Sequence, residues 1–165
     1  MSVSIDETVF SQHSFHEAMH ACARMFAASD TKWFDLLVPV AVQQLMDDTL
    51  LLSLHLRRVS EFTGKRVRRT VDNLPLGVAR DFSQHETNLW RCINKVIHHR
   101  RLDPIVLSQR DFYRANEQPV AGHLISDIKV ESDEGTSIIN VAGFSVACAN
   151  ELGEQMLSEK LGTIQ

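Results

Sequence analysis

The stretch NLWRCINKVIHHRR, residues 88–101, carries the residue types and spacing most suited to chemistry. Wound as a helix, Leu89, Ile93, Val96 and Ile97 form an apolar face, with Trp90 and Cys92 at its margins. Arg91, Asn94, Lys95 and His98 gather on the opposite face. Arg91 and His98 lie two turns apart, and Asn94 stands one turn before His98. A fixed cation, an amide and an imidazole on one strip suit phosphate chemistry. Arginine holds a phosphate bidentately and stabilises charge that builds during transfer. Histidine moves a proton near neutral pH, and asparagine orients the ring or the substrate. RNA supplies its own nucleophile, the 2′-OH, so such a strip needs no metal. The bland account is a solvent-facing strip of an amphipathic helix, where all four residues are ordinary.

A second string, HEAMH, runs from His16 to His20. Two histidines one turn apart with a glutamate between them have the spacing of a zinc hydrolase. Several features argue against that chemistry here. Glu17 stands three residues after Ser14, the spacing of a capping box. His16, Glu17, His20 and Arg24 lie opposite the stripe of Phe15, Ala18, Met19, Cys22, Met25 and Phe26. No third ligand is singled out, since Glu61 is only a distant option. No metal and no cofactor are expected.

The elements that must position these residues follow from periodicity and breakers. A first helix is expected over about 15–28, with Ser14 as N-cap. A second covers about 31–63, kinked at Pro39 and ended by Gly64. VAVQQLMDDTLLLSLHL within it is apolar around most of its circumference, which predicts a central helix. Asp47 and Asp48 interrupt it and read as part of a narrow polar stripe. Residues 64–82 read as a connection. A third helix is expected from about Gln84 to His99, with Ser83 and Glu86 at capping-box spacing. Asp103 and Pro104 then open an irregular stretch to Gly122. The segment HLISDIKVESDEGTSIINV predicts a hairpin turning at Asp133–Gly135, with Asp127, Lys129 and Glu131 outward. A last helix is expected over about 144–160. The fold class is therefore mainly α: one domain of 1–165, a bundle of about four helices with a small β-hairpin over about 122–141.

Charge is unevenly spread along the chain. The net charge is −4, yet residues 57–101 hold eleven basic and four acidic side chains. Six of the basic ones lie in RRVSEFTGKRVRR, from Arg57 to Arg69. A basic segment in an acidic chain points to a polyanion partner or to an internal acid–base interface. In the first case Lys65, Arg66, Arg68, Arg69 and Lys95 would contact a nucleic acid. Phe62 is the only interleaved aromatic, so no base-stacking platform is visible. The apolar region around Leu36–Leu56 is broken by polar residues and cannot span a membrane. MSVSIDETVF is acidic and lacks an apolar signal core. With Cys22, Cys92 and Cys148 far apart and odd in number, this predicts a cytoplasmic protein with reduced thiols.

Arg91, six intervening residues and His98 resemble the Arg-x4–6-His pattern of HEPN domains, and NKVIH looks like that family's asparagine-containing form. The resemblance implies a helical, usually homodimeric protein. It further implies a metal-independent endoribonuclease of toxin or defence type, held by a protein partner such as an antitoxin. In that case Arg91 binds phosphate, His98 is the general acid/base and Asn94 orients it. Other family members are non-catalytic and bind protein or nucleic acid, which is the rival function. Cys92 departs from the polar residue usual after the arginine, and the hairpin is no part of the minimal helical core.

Overall fold

The computed structural model describes residues 12–74, 81–115 and 118–162. The order is α1 (Gln12–Asp30), α2 (Val38–Thr63), α3 (Leu89–Ile97), β1 (His99–Ala115), β2 (Gln118–Ser132), β3 (Gly135–Asn140) and α4 (Val141–Gly162). The strands form one antiparallel sheet in the order β1-β2-β3. This is an α+β fold, which corrects the expectation of a mainly α bundle with a small hairpin. The segment after Asp103–Pro104 is a long strand paired with β2, with Leu102 opposite Val130 and Pro104 opposite Ile128. Pro104 misled because proline breaks interior strands. On an edge strand its missing N–H is tolerated, and β1 is an edge.

The helices pack from one another onto the sheet. α1 lies against α2 and α4, α2 against α3, and β2 touches α1, α3 and α4. The core gathers Met25, Leu52, Ile93, Ile128, Ile139 and Phe144, each fully buried. α2 starts at Val38 with Pro39 in its first turn, where proline belongs. It ends at Gly64, whose φ of 68° is the left-handed conformation glycine adopts without cost. It is not a central helix: Val40, Leu51 and Leu54 are exposed. Asp48 is buried rather than part of an open stripe. Arg24 donates to both of its oxygens, Nε at 3.0 Å and Nη2 at 2.8 Å. Asp47 remains exposed and accepts from Gln43.

Helix starts differ from expectation: α2 begins at Val38 rather than near Thr31, so Pro39 opens it instead of kinking it. α1 already includes Gln12, so Ser14 lies within it and is not its N-cap. MSVSIDETVF, 1–10, lies outside the described residues. α3 begins at Leu89, not near Gln84, with Asn88 as N-cap: its side chain accepts from the Arg91 N–H at 3.0 Å. The residues before it are taken by the sheet. Glu86 N–H donates to the Ile138 carbonyl and Ile138 N–H to the Gln84 carbonyl, covering the outer edge of β3. Backbone pairing to a strand outweighs one side-chain cap. Among the described residues no helix is long and apolar enough to cross a membrane.

The start of α4 is fixed by a close approach. Asn140 Oδ1 accepts from Gly143 N–H at 2.8 Å, and Asn140 Nδ2 donates to the Leu74 carbonyl at 3.2 Å. A Cβ on Gly143 would stand 1.7 Å from the Asp72 carbonyl oxygen. Gly143→Ala is therefore expected to cost roughly 3 kcal/mol by overpacking. Thermal unfolding checks this, with a fall in Tm of roughly 6–12 °C. Gly153→Ala is the comparison. A Cβ there meets nothing within 4 Å, so it should be neutral or stabilising by roughly 0.5–1 kcal/mol.

Candidate nucleic-acid interface

α3 presents its polar residues in two directions. Asn94 and His98 face α2, where Arg57 meets both. Arg57 Nη1 donates to Asn94 Oδ1 at 2.6 Å and lies 3.3 Å from His98 Nε2. Its Nε donates to Glu61 Oε1 at 2.7 Å, one turn along α2. A guanidinium has no acceptor, so the contact requires His98 Nε2 to offer its lone pair, with the proton on Nδ1. Trp90, one turn before Asn94, carries two cations over its ring. The guanidinium carbons of Arg57 and Arg66 lie 5.9 and 5.6 Å from the ring centroid, within cation–π range.

Arg91 faces elsewhere. Its Nε lies 3.3 Å from Glu86 Oε2, and most of the side chain is exposed. The helical wheel placed Arg91 and His98 on one line, but α3 ends at Ile97. His98 is the C-cap, with φ −100° and ψ 24°, so its side chain leaves the helical register. The structure thus brings together Asn94 and His98, leaves Arg91 apart from them, and supplies Arg57 as the guanidinium. Arg57 stood in the basic segment by sequence. Its contact with α3 spans 37 positions and depends on helix packing, so no local pattern shows it.

The basic segment divides by strand-like alternation. Val67 and Val71 are buried, and Arg69, on the same side, points inward. Arg69 Nε meets Glu151 Oε2 at 3.1 Å, and its Nη2 pairs with Glu154. Burial raises the Glu151 carboxyl above its ordinary range, while Arg69 opposes that rise. Arg66 and Arg68 point outward and are exposed, as is Lys65. Lys95 is not a surface cation. It is 8% exposed, with Nζ at 2.9 Å from Glu86 Oε2 and 2.6 Å from Ser137 Oγ. Of the five basic residues expected at a nucleic acid, Lys65, Arg66 and Arg68 stand open to solvent, and Arg69 and Lys95 hold internal carboxylates.

His16, Glu17 and His20 are exposed on α1. Among the described residues no three His, Cys, Asp or Glu side chains converge in a way that could hold a metal. Glu61, weighed as a third ligand, is held by Arg57.

A buried polar group was missed entirely. Asp127 is almost fully buried, although the strand alternation placed it outward. Its Oδ1 lies 2.9 Å from His85 Nε2, and its Oδ2 accepts from Ser126 Oγ at 2.6 Å. Both faces of β2 are covered here, so alternation of hydrophobicity carries no information about exposure.

The Glu86–Lys95 pair gives a pH signature. Burial opposes ionisation of Glu86, but hydrogen bonds from Lys95 and the Asn88 N–H outweigh it and hold the carboxyl below its ordinary range. A lowered value in the fold contributes stability above the ordinary carboxylate range, lost as pH falls through the lowered value. Lys95→Met should cost roughly 2 kcal/mol at pH 7. The gap from wild type, followed by chemical denaturation, should shrink as pH falls below about 4.3. A gap constant with pH would assign the loss to the lysine stem's packing. Compared with known proteins, the chain matches no family model, no curated protein and no solved structure.

Proposed function

We propose that this chain binds single-stranded RNA on the surface formed by Arg57, Lys65, Arg66, Arg68, Trp90 and His98. The observation that carries the reading is the placing of two guanidinium groups over Trp90, beside Asn94 and His98. These groups belong to the one region of an acidic chain with a positive balance. Trp90 is half-buried and already covered by cations. Phosphate contacts rather than base stacking therefore dominate, and binding is sensitive to salt.

A second reading is metal-independent cleavage, favoured by one contact. His98 Nε2 is held as an acceptor against a guanidinium. In that reaction His98 Nε2 exchanges the guanidinium for the 2′-OH and takes its proton as that oxygen attacks the adjacent phosphorus. The P–O5′ bond breaks, leaving a 2′,3′-cyclic phosphate and a 5′-oxygen that takes a proton from water. Arg57 stabilises the charge on the phosphate oxygens, and Asn94 fixes the guanidinium. Arg57 takes the role that the HEPN resemblance gave to Arg91, so this reading rests on the contacts of Arg57 with Asn94 and His98 and not on that motif. The same proposal includes a homodimer in the cytoplasm. Three buried, unpaired thiols fit a reducing compartment.

Fluorescence anisotropy with a labelled RNA oligonucleotide tests the binding. Arg66→Ala with Arg68→Ala should raise Kd about tenfold and lower the salt slope by roughly 1–1.5. Arg91→Ala should leave Kd unchanged, because Arg91 lies on the Glu86 side. Wild-type binding indifferent to the double substitution, or no wild-type binding at low salt, would remove the proposal. Incubating the oligonucleotide in EDTA separates the second reading: cleavage must be lost in both His98→Ala and Arg57→Ala.

A further inference from the structure

α2 exposes one complete face. At about 100° per residue, Gln43, Asp47, Leu51, Leu54, Arg58 and Phe62 fall on one side of the helix, and every one of them is exposed. The apolar members are not marginal cases: Leu51 is 38% exposed, Leu54 43% and Phe62 50%. The order of residues on this face is complementary to its own reverse. Read from either end toward the point between Leu52 and Ser53, the face presents Gln43 then Asp47 then Leu51, and Phe62 then Arg58 then Leu54. An acid on one half therefore corresponds to a base on the other, and leucine to leucine.

We infer that this face is the homodimer interface, closed by two α2 helices packed antiparallel about a two-fold axis between Leu52 and Ser53. The inference rests on the homodimer reading and names its surface. In this register Leu51 meets Leu54 of the second copy, and Asp47 meets the second copy's Arg58. Each contact occurs twice, as an isologous interface requires. The ends of the face fit as well. The second copy's Phe62 arrives beside Gln43, next to a groove between α1 and α2. That groove encloses about 330 Å³ and is lined mainly by apolar groups of Ala27, Ala28, Trp33, Val40, Ala41 and Leu45. It has room for a phenylalanine ring. From Gln43 to Phe62 the helix runs about 30 Å. Val40, also exposed, lies on the same side of the helix and falls just past the end of the partner's α2 at Thr63. This extends the contact toward the roughly 800 Å² per partner of a stable interface.

Complementary charge changes on the full-length chain test both the surface and the register by sedimentation velocity. Asp47→Arg alone places arginine against Arg58, and Arg58→Asp alone places aspartate against Asp47. Each variant should weaken dimerisation at least tenfold, with circular dichroism unchanged because both positions are exposed. Mixed one to one, the two variants should regain the wild-type dimer, since each contact then pairs Arg with Asp. A wild type that stays monomeric at high concentration would overturn the homodimer reading and this inference with it. A wild-type dimer indifferent to both single changes would overturn this interface alone. Weakened variants that fail to recover on mixing would overturn the register.

Discussion

Asn140 divides its side-chain amide among three neighbours, and the joining of α4 to the sheet follows from that division. Its oxygen caps α4 through the Gly143 N–H, and its nitrogen holds the Leu74 carbonyl. The same nitrogen lies 3.5 Å from Asp127 on β2. Asp127 holds His85, whose neighbour Glu86 pairs its backbone with β3 and its carboxylate with Lys95 of α3. The contacts run from α4 through the sheet to the helix that carries Asn94 and His98. Each group on this path is buried or half-buried, so each must find its partner there and nowhere else. The close approach of Gly143 to Asp72 is the steric counterpart: no side chain fits between the elements that Asn140 draws together.

Ion pairing sorts the cations of the chain. Arg24, Arg69 and Lys95 hold carboxylates that are buried or largely shielded. These are the internal acid–base contacts that the uneven charge pattern allows. Lys65, Arg66 and Arg68 remain on the outside of a segment whose inward positions are valine and Arg69. A single run of basic residues thus serves both purposes, and the alternation of an extended backbone decides which residue does which.

The parts of this fold that depend on local chemistry were legible. Gly64 ends α2, the turn at Asp133–Gly135 joins β2 to β3, and the amphipathic pattern marks α1. What was not legible depends on distant partners. β1 was hidden by Pro104, because edge position is a property of the sheet and not of the strand. The start of α3 was misplaced because Ser83 and Glu86 have the spacing of a cap, while β3 claims that backbone first. Arg57 was recognised as basic but not as the partner of Asn94 and His98. Arg91 was favoured instead because a helical wheel assumes that the helix continues through residue 98. Asp127 looked outward only under the assumption of a one-sided sheet.

The pairing of residues 84–86 along β3 has a consequence for the behaviour of the protein in a crowded solution. A sheet grows by adding strands to an open edge, and one of the two edges here is met at Ile138 by the chain's own backbone. The other edge, β1, begins with exposed Arg100 and Arg101 and then Pro104, which supplies no donor. Charge and proline both discourage a foreign strand from docking. The long hairpin is thereby guarded against templating fibrils at the end nearest α3, by backbone on one side and by side-chain chemistry on the other.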